Sequence, residues 1–193
     1  RNRNREEYSL SFVTLEVVLP RDNEIKIDAA EQLFASLYSV KNEEWYAFLL
    51  SEHAVSFEIV GRKEDIRFYV SVPHELMELV EKQIHGAYPG AEIKTVEEPT
   101  IFTDGGKVAY ESLMKSSAGY FPIQSFRDLP TDPLSSITSF MAKMRDGEGA
   151  ILQVIVSPAS HTWGEKGHSY ISNAKKNESN PEKASYSVDP KRL

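Results

Sequence analysis

The chain has 193 residues, of which 40% are hydrophobic and 26% charged, so it can form a packed core and is not a disordered protein. Lys and Arg number 22 and Asp and Glu number 29, and the net charge of −7 argues against non-specific binding to nucleic-acid phosphates. The absence of cysteine excludes disulfide bonds, thiolate metal sites and a cysteine nucleophile.

The first eight residues begin with a basic stretch, RNRNR at positions 1–5. Positive residues accumulate on the cytoplasmic side of membrane helices, so residues 1–8 are interpreted as a juxtamembrane stub that follows a membrane helix. A solvated terminal arm explains the same residues without a membrane.

Residues 9–98 alternate between strand and helix patterns. Leu10–Leu19 has apolar residues at every second position and predicts a half-buried strand, which Pro20 ends. Asp28 has the position of a helix N-cap, and apolar residues at helical spacing extend the predicted helix to about Val40.

The alternation over His53–Val60 and 66–72 predicts two antiparallel strands joined by a slightly long turn at Gly61–Asp65. An amphipathic helix follows Pro73, and Ala91–Glu97 predicts a short strand. The resulting order is strand–helix–strand–strand–helix–strand, which is that of a ferredoxin-like split βαβ sandwich. The predicted class is therefore α+β, with two helices on one face of a four-stranded sheet.

Residues 99–160 predict a second, incomplete unit of strand, helix and strand. Its elements are a strand within Lys107–Ser116, a helix that begins near Asp132 and a strand at Ala150–Ser157. Half of a split βαβ unit leaves a sheet edge unpaired. We therefore expect a continuation beyond Leu193 to supply the missing strands, or the small unit to associate with the first sheet.

Large aromatic residues occur in two predicted loops. Trp45, Tyr46 and Phe48 lie at 41–52, where a loop is predicted and a short strand is the alternative. Trp163 lies in residues 161–193, which predict a loop and a polar linker, with a helix that begins at His168–Asn173 as the alternative. Aromatic side chains in loops are either anchors or contact surfaces, so these four are candidate interaction residues.

The sequence contains no pattern of catalytic, cofactor-binding or metal-ligating residues. The phosphate-binding loop GxxxxGK[ST] is absent, and its nearest approach, Asp104–Lys107, is interpreted as a turn. His161 and His168 would need Glu165 as a third metal ligand, and a loop without metal is the simpler interpretation. We therefore expect no enzyme activity, cofactor or metal in this fragment.

The sheet face opposite the predicted helices was considered as a nucleic-acid platform, since RNA-recognition modules share this element order. The third strand, IRFYVSV, places Arg67 and Tyr69 on that face, while Glu16 and Glu58 on neighbouring strands would repel phosphates. One ring among mixed charges is a poor stacking platform. We expect cross-strand charge pairs or a face covered by another domain, with Arg67 and Tyr69 as candidate interaction residues.

Three long runs lie between Leu15 and Pro158: LEVVLPRDNEIKIDAAEQLFASLYS, SFEIVGRKEDIRFYVSVPHELMELVEKQIHGAYPGAEI and DPLSSITSFMAKMRDGEGAILQVIVSP. They resemble the N-terminal region of type IV secretion, conjugative DNA-transfer ATPases of small-genome bacteria. In that family a membrane segment precedes this domain and a RecA-like motor with Walker motifs follows it. The motor's ATP-binding residues have no counterpart here.

The resemblance implies a non-catalytic N-terminal assembly domain of a membrane-anchored ATPase, at the cytoplasmic face of the inner membrane and soluble as this fragment. Its implied partners are neighbouring subunits, its own motor domain or the secretion channel, and whether it forms an oligomer stays open. Two alternatives stay open, a ligand-sensing domain of ferredoxin-like shape and a module that binds single-stranded nucleic acid.

Overall fold

The computed structural model describes residues 12–39, 54–156 and 162–178. That part of the chain contains five strands, four α-helices and two short 3₁₀ turns. The strands are β1 (Phe12–Val18), β2 (Val55–Arg62), β3 (Asp65–Pro73), β4 (Glu92–Val96) and β5 (Gly149–Val156). The helices are α1 (Asp28–Ser39), α2 (Met77–Ala87), α3 (Ser135–Met141) and α4 (Thr162–Glu178). The 3₁₀ turns are His74–Leu76 and Phe126–Asp128.

All five strands form one sheet in the order β4-β1-β3-β2-β5, and every neighbouring pair is antiparallel. The predicted α+β class and the strand–helix–strand–strand–helix–strand order of the first six elements are confirmed. Strand β1 lies inside the sheet because its apolar residues pair on both sides, with Val13 opposite Val72 and Val17 opposite Ile93.

The main core lies between the sheet and helices α1 and α2, on the side that we call the helix face. Leu15 and Val72 on the sheet and Val80 on α2 are almost completely buried. Leu33 of α1 joins the same cluster, and the ring of Phe34 meets that of Phe57 edge-on at 5.1 Å. The period of two along the strands and the helical spacing in α2 therefore correctly predict which of these residues face inward.

The turn between β2 and β3 is tighter than predicted. Arg62 already pairs with Asp65, so only Lys63 and Glu64 connect the strands, and Glu64 adopts a left-handed φ of 57°. Gly61 belongs to β2 rather than to the turn. A glycine suits this strand position because a Cβ there would lie 2.5 Å from the Cβ of Met141, which packs over it from α3.

The predicted second unit differs from the structure in two respects. Between β4 and β5 the described residues contain no strand, so the one expected within Lys107–Ser116 is absent, and α3 begins later than predicted. Strand β5 pairs with β2 in the first sheet, where Val154 lies opposite Phe57 and Leu152 opposite Ile59. Strand β5 pairs with β2 because these apolar pairs extend the helix face of the sheet.

Residues 161–193 were predicted as loop and linker, but Thr162–Glu178 forms helix α4. Two glycines and many polar residues give this segment little intrinsic tendency to be helical. Its stabilisation comes from packing, since the ring of Tyr170 lies 5.5 Å from that of Tyr120 and 5.1 Å from that of Phe121. These aromatic residues belong to a second compact unit, residues 108–132 and 159–193, separate from the unit of residues 1–107 and 133–158 that holds the sheet.

Candidate functional site

On the face of the sheet opposite α1 and α2, which we call the polar face, residues after β4 pack at the end of β2 and the start of β5. The carbonyl of Thr100 accepts a hydrogen bond from Nη2 of Arg62. Ile101 packs so closely on Gly149 that a Cβ added there would lie 2.8 Å from the Cβ of Ile101. Tyr69 on this face is only 8% exposed. Tyr69 is therefore not available as a stacking platform.

Arg67 lies beside Tyr69 and is held by two carboxylates. Its Nε donates to Oδ2 of Asp65 at 2.8 Å, and its Nη1 donates to Oε1 of Glu16 at 3.0 Å. The hydrogen bond and charge of Asp65, followed by those of Glu16, raise the pKa of Arg67 above its ordinary value. The expected cross-strand charge pairing is therefore present between Arg67 and Glu16, whereas Asp65 lies on the same strand as Arg67. Both carboxylates occupy the guanidinium that a phosphate would need.

A polar groove of about 600 Å³ opens on the polar face, at the end of the sheet where β1 begins. At its floor Glu58 is 8% exposed, and its Oε1 accepts hydrogen bonds from Oγ of Ser56 at 2.8 Å and from Nε2 of Gln153 at 3.0 Å. Thr14 and Ser71 share a hydrogen bond of 3.2 Å in the same wall. Period-two alternation places these residues together, since they lie on the same side of adjacent strands.

The charges of this groove are all negative. Besides Glu58, its lining includes the carboxylates Glu97 and Glu98 of the segment after β4, and none of the described lining residues is Lys, Arg or His. A buried carboxylate is stabilised by hydrogen bonds or by a cation. The groove therefore suits a cationic group better than an anionic one.

A second concavity, of about 490 Å³, lies beside the tight turn between β2 and β3. Three of its charged side chains already have partners: Nζ of Lys63 contacts Oδ2 of Asp146 at 2.7 Å, and Oε2 of Glu148 accepts from the backbone N–H of Arg145 at 2.9 Å. This arrangement closes the loop before β5 and offers no converging set of reactive groups.

Strand β5 presents an unpaired edge. Among the described residues no strand pairs with it on the side away from β2. Its large apolar side chains are exposed on both faces, with Val154 53% and Ile155 64% exposed, and Ile151 and Val156 more than one third exposed. The sequence predicted both the strand, from the run AILQVIVS, and an unpaired sheet edge, but not which sheet the strand joins.

The side chains of the remaining candidate residues lie outside the described part of the chain. Trp45, Tyr46 and Phe48, like the basic stub at 1–8, lie outside the described residues. Trp163 is part of helix α4, but its side chain is outside the described portion. Across residues 12–39, 54–156 and 162–178, no three His, Asp or Glu side chains are arranged to hold a metal ion.

No helix within the described ranges is both long and apolar enough to span a membrane. Comparison with curated proteins and with solved structures yields no match. Residues 5–186, nearly the whole chain, match the sequence profile of one family. The chain therefore belongs to the family described as Domain of unknown function (DUF8128).

Proposed function

We propose that this chain is the non-catalytic N-terminal assembly domain of a membrane-anchored type IV secretion or conjugative DNA-transfer ATPase. The observation that carries the assembly role is the edge of β5, which is apolar on both faces and has no strand partner among the described residues. Exposed strand edges bind other chains by extending the sheet, and exposed apolar clusters mark interaction sites.

The two edges of the sheet differ in a way that supports this role. Edge strand β4 carries Glu92 and Lys94, which are well exposed and form an ion pair of 3.2 Å. Charges of this kind protect an edge from unwanted pairing. Strand β5 has no charged residue and no proline, so it lacks those protections.

In the parent protein the domain docks against a neighbouring subunit, its own motor or the secretion channel, on the cytoplasmic side of the inner membrane. The family resemblance over residues 15–158 supports this placement and the identity of the parent. The covalent work of ATP hydrolysis then belongs to the motor and not to this domain.

The test uses the full-length gene product. Its sequence should contain a Walker motif downstream of Leu193, and Ile155→Lys should reduce assembly of the complex while leaving the rate of ATP hydrolysis per motor unchanged. Val18→Lys is the matched control, since Val18 is an exposed apolar residue of the same sheet away from β5. A parent without a motor, or nucleotide hydrolysis by the isolated fragment, would refute the proposal.

The polar groove favours a second candidate function, the sensing of a small cationic ligand. Its buried carboxylate Glu58 and the neighbouring Glu97 and Glu98 would bind an ammonium or guanidinium group. A thermal-shift screen with organic amines tests it: a binder at 100 times its Kd stabilises by about 2.7 kcal/mol, and Glu58→Gln should abolish that gain. An absence of stabilisation across the amine set would remove this candidate.

Nucleic-acid binding has less support, because Tyr69 is buried and Arg67 is paired with carboxylates. Tight, strongly salt-dependent binding to single-stranded DNA would reverse that judgement.

A further inference from the structure

We propose that two copies of this chain pair through β5, antiparallel about a two-fold axis, to form one sheet with five strands from each copy. Gln153 of one copy then lies opposite Gln153 of the other. This inference rests on the proposed assembly function, because it names the partner of the β5 edge.

The pairing of β5 with β2 determines which face of the sheet each β5 side chain occupies. Leu152 lies opposite Ile59 and so belongs to the helix face, together with Val154 and Val156. Gln153 lies opposite Glu58 and so belongs to the polar face, together with Ile151 and Ile155. Both faces therefore contribute exposed apolar side chains to the edge.

Residues directly opposite in an antiparallel pair point to the same face. A symmetric β5–β5 pair must therefore be centred on one residue that meets its own copy. Centred on Gln153, the pair gives three further matches: Leu152 with Val154, Ile151 with Ile155, and Ala150 with Val156. Every exposed apolar side chain of β5 gains an apolar partner, and the one polar side chain meets an identical amide.

Neighbouring registers pair the β5 side chains less favourably. A pair centred on Leu152 places Gln153 opposite Ile151 and Gly149 opposite Ile155, so the most exposed isoleucine faces a residue without a side chain. A pair centred on Val154 places Gln153 opposite Ile155. The sequence of β5 is thus complementary to itself in one register, which is the feature an isologous dimer requires.

The uncharged sequence of β5 is compatible with pairing to an identical strand and gives no preference for a strongly charged partner. Strand β5 contains no ionisable residue, so nothing in it selects an acidic or basic strand. The net charge of −7 on each copy opposes association at long range, and salt screens that repulsion. The dimer should therefore become tighter as the salt concentration rises.

Sedimentation velocity on the chain tests the pairing. We expect a monomer–dimer equilibrium in the micromolar to sub-millimolar range, with the dissociation constant raised at least tenfold by Ile155→Lys and unchanged by Val18→Lys. A monomer at every concentration, or an Ile155→Lys variant that dimerises as well as the parent chain, would overturn the inference.

The register is tested by disulfide cross-linking. Because the chain has no cysteine, only the introduced cysteines can form disulfides. Chains with Ile151→Cys and chains with Ile155→Cys are prepared separately, mixed and oxidised. Cross-linked dimers should form efficiently on mixing and not with either variant alone, because equivalent positions 151 are too far apart along the strands to bridge. Efficient cross-linking of a single variant would reject this register.

Failure of the dimer is distinguishable from failure of the assembly function. If the chain is monomeric but Ile155→Lys still prevents assembly of the full-length complex, self-pairing is refuted and the β5 edge binds a different subunit. If the chain dimerises as described but the parent contains no motor, the self-pairing stands and the secretion-ATPase assignment is refuted.

Discussion

Substitution of Gly61 by alanine tests how helix α3 is placed against the sheet. In the structure a Cβ at position 61 would lie 2.5 Å from Cβ and 2.7 Å from Cγ of Met141. Non-bonded carbon atoms prefer separations of about 3.5–4.0 Å, so the new methyl group requires a movement of about 1 Å. The Cβ of Met141 cannot rotate away, so the backbone of α3 or of β2 must move.

The expected cost follows from two opposing terms. Overpacking of a well-packed site costs about 1–3 kcal/mol, whereas replacing a glycine within a strand gains about 0.5–1 kcal/mol from reduced entropy of the unfolded chain. From the central values of these two terms, Gly61→Ala should lower the free energy of unfolding by about 1 kcal/mol. For a chain of this size that corresponds to a fall in Tm of about 2–4 °C.

Gly86→Ala is the matched control, because Gly86 lies in helix α2 and a Cβ there would meet nothing within 4 Å. It should raise the free energy of unfolding by about 0.5–1 kcal/mol. Urea and thermal unfolding followed by circular dichroism measure both changes. A Gly61→Ala variant as stable as the parent would show that Met141 does not pack on β2 as described.

Three further substitutions test other local features by urea unfolding. Glu64→Gly should stabilise the chain by about 0.5–1 kcal/mol because Glu64 has a left-handed φ, and Glu64→Ala should give no such gain. Ser56→Ala removes a donor to the buried carboxylate of Glu58 and should cost about 1.5–3 kcal/mol; unchanged stability would mean that this hydrogen bond is not formed. Gly149→Ala should cost about 1–3 kcal/mol because the Cβ and Cγ2 of Ile101 occupy the space, and a smaller cost in the Ile101→Gly background, which removes both atoms, would confirm that Ile101 packs on the polar face at Gly149.

Burial in the first sheet illustrates what a pattern along the chain can predict. Alternation in β1 and β3 correctly places Leu15 and Val72 in the core, and helical spacing correctly places Val80 and Ile84 there. These predictions depend only on the periods of strand and helix, which are properties of the backbone and hold wherever the element packs.

The same reasoning fails where the environment of an element is set by residues distant in sequence. Phe68 lies on the helix face, as the alternation predicts, yet its side chain is 51% exposed. Tyr69 lies on the polar face, as the alternation predicts, yet it is buried. The alternation was correct in both cases, and exposure depended on what lies above each face.

The sequence by itself determined the class of this fold, the order of its first six elements and the apolar stripes that form its core, because each is encoded by spacing between near neighbours. Only the tertiary structure decided that β5 extends the first sheet, that Ile101 packs on the polar face at Gly149 and that Glu58 is buried beside Ser56 and Gln153. Those features arise from contacts between segments up to about a hundred residues apart, and periodicity within a segment carries no record of which distant segment will meet it.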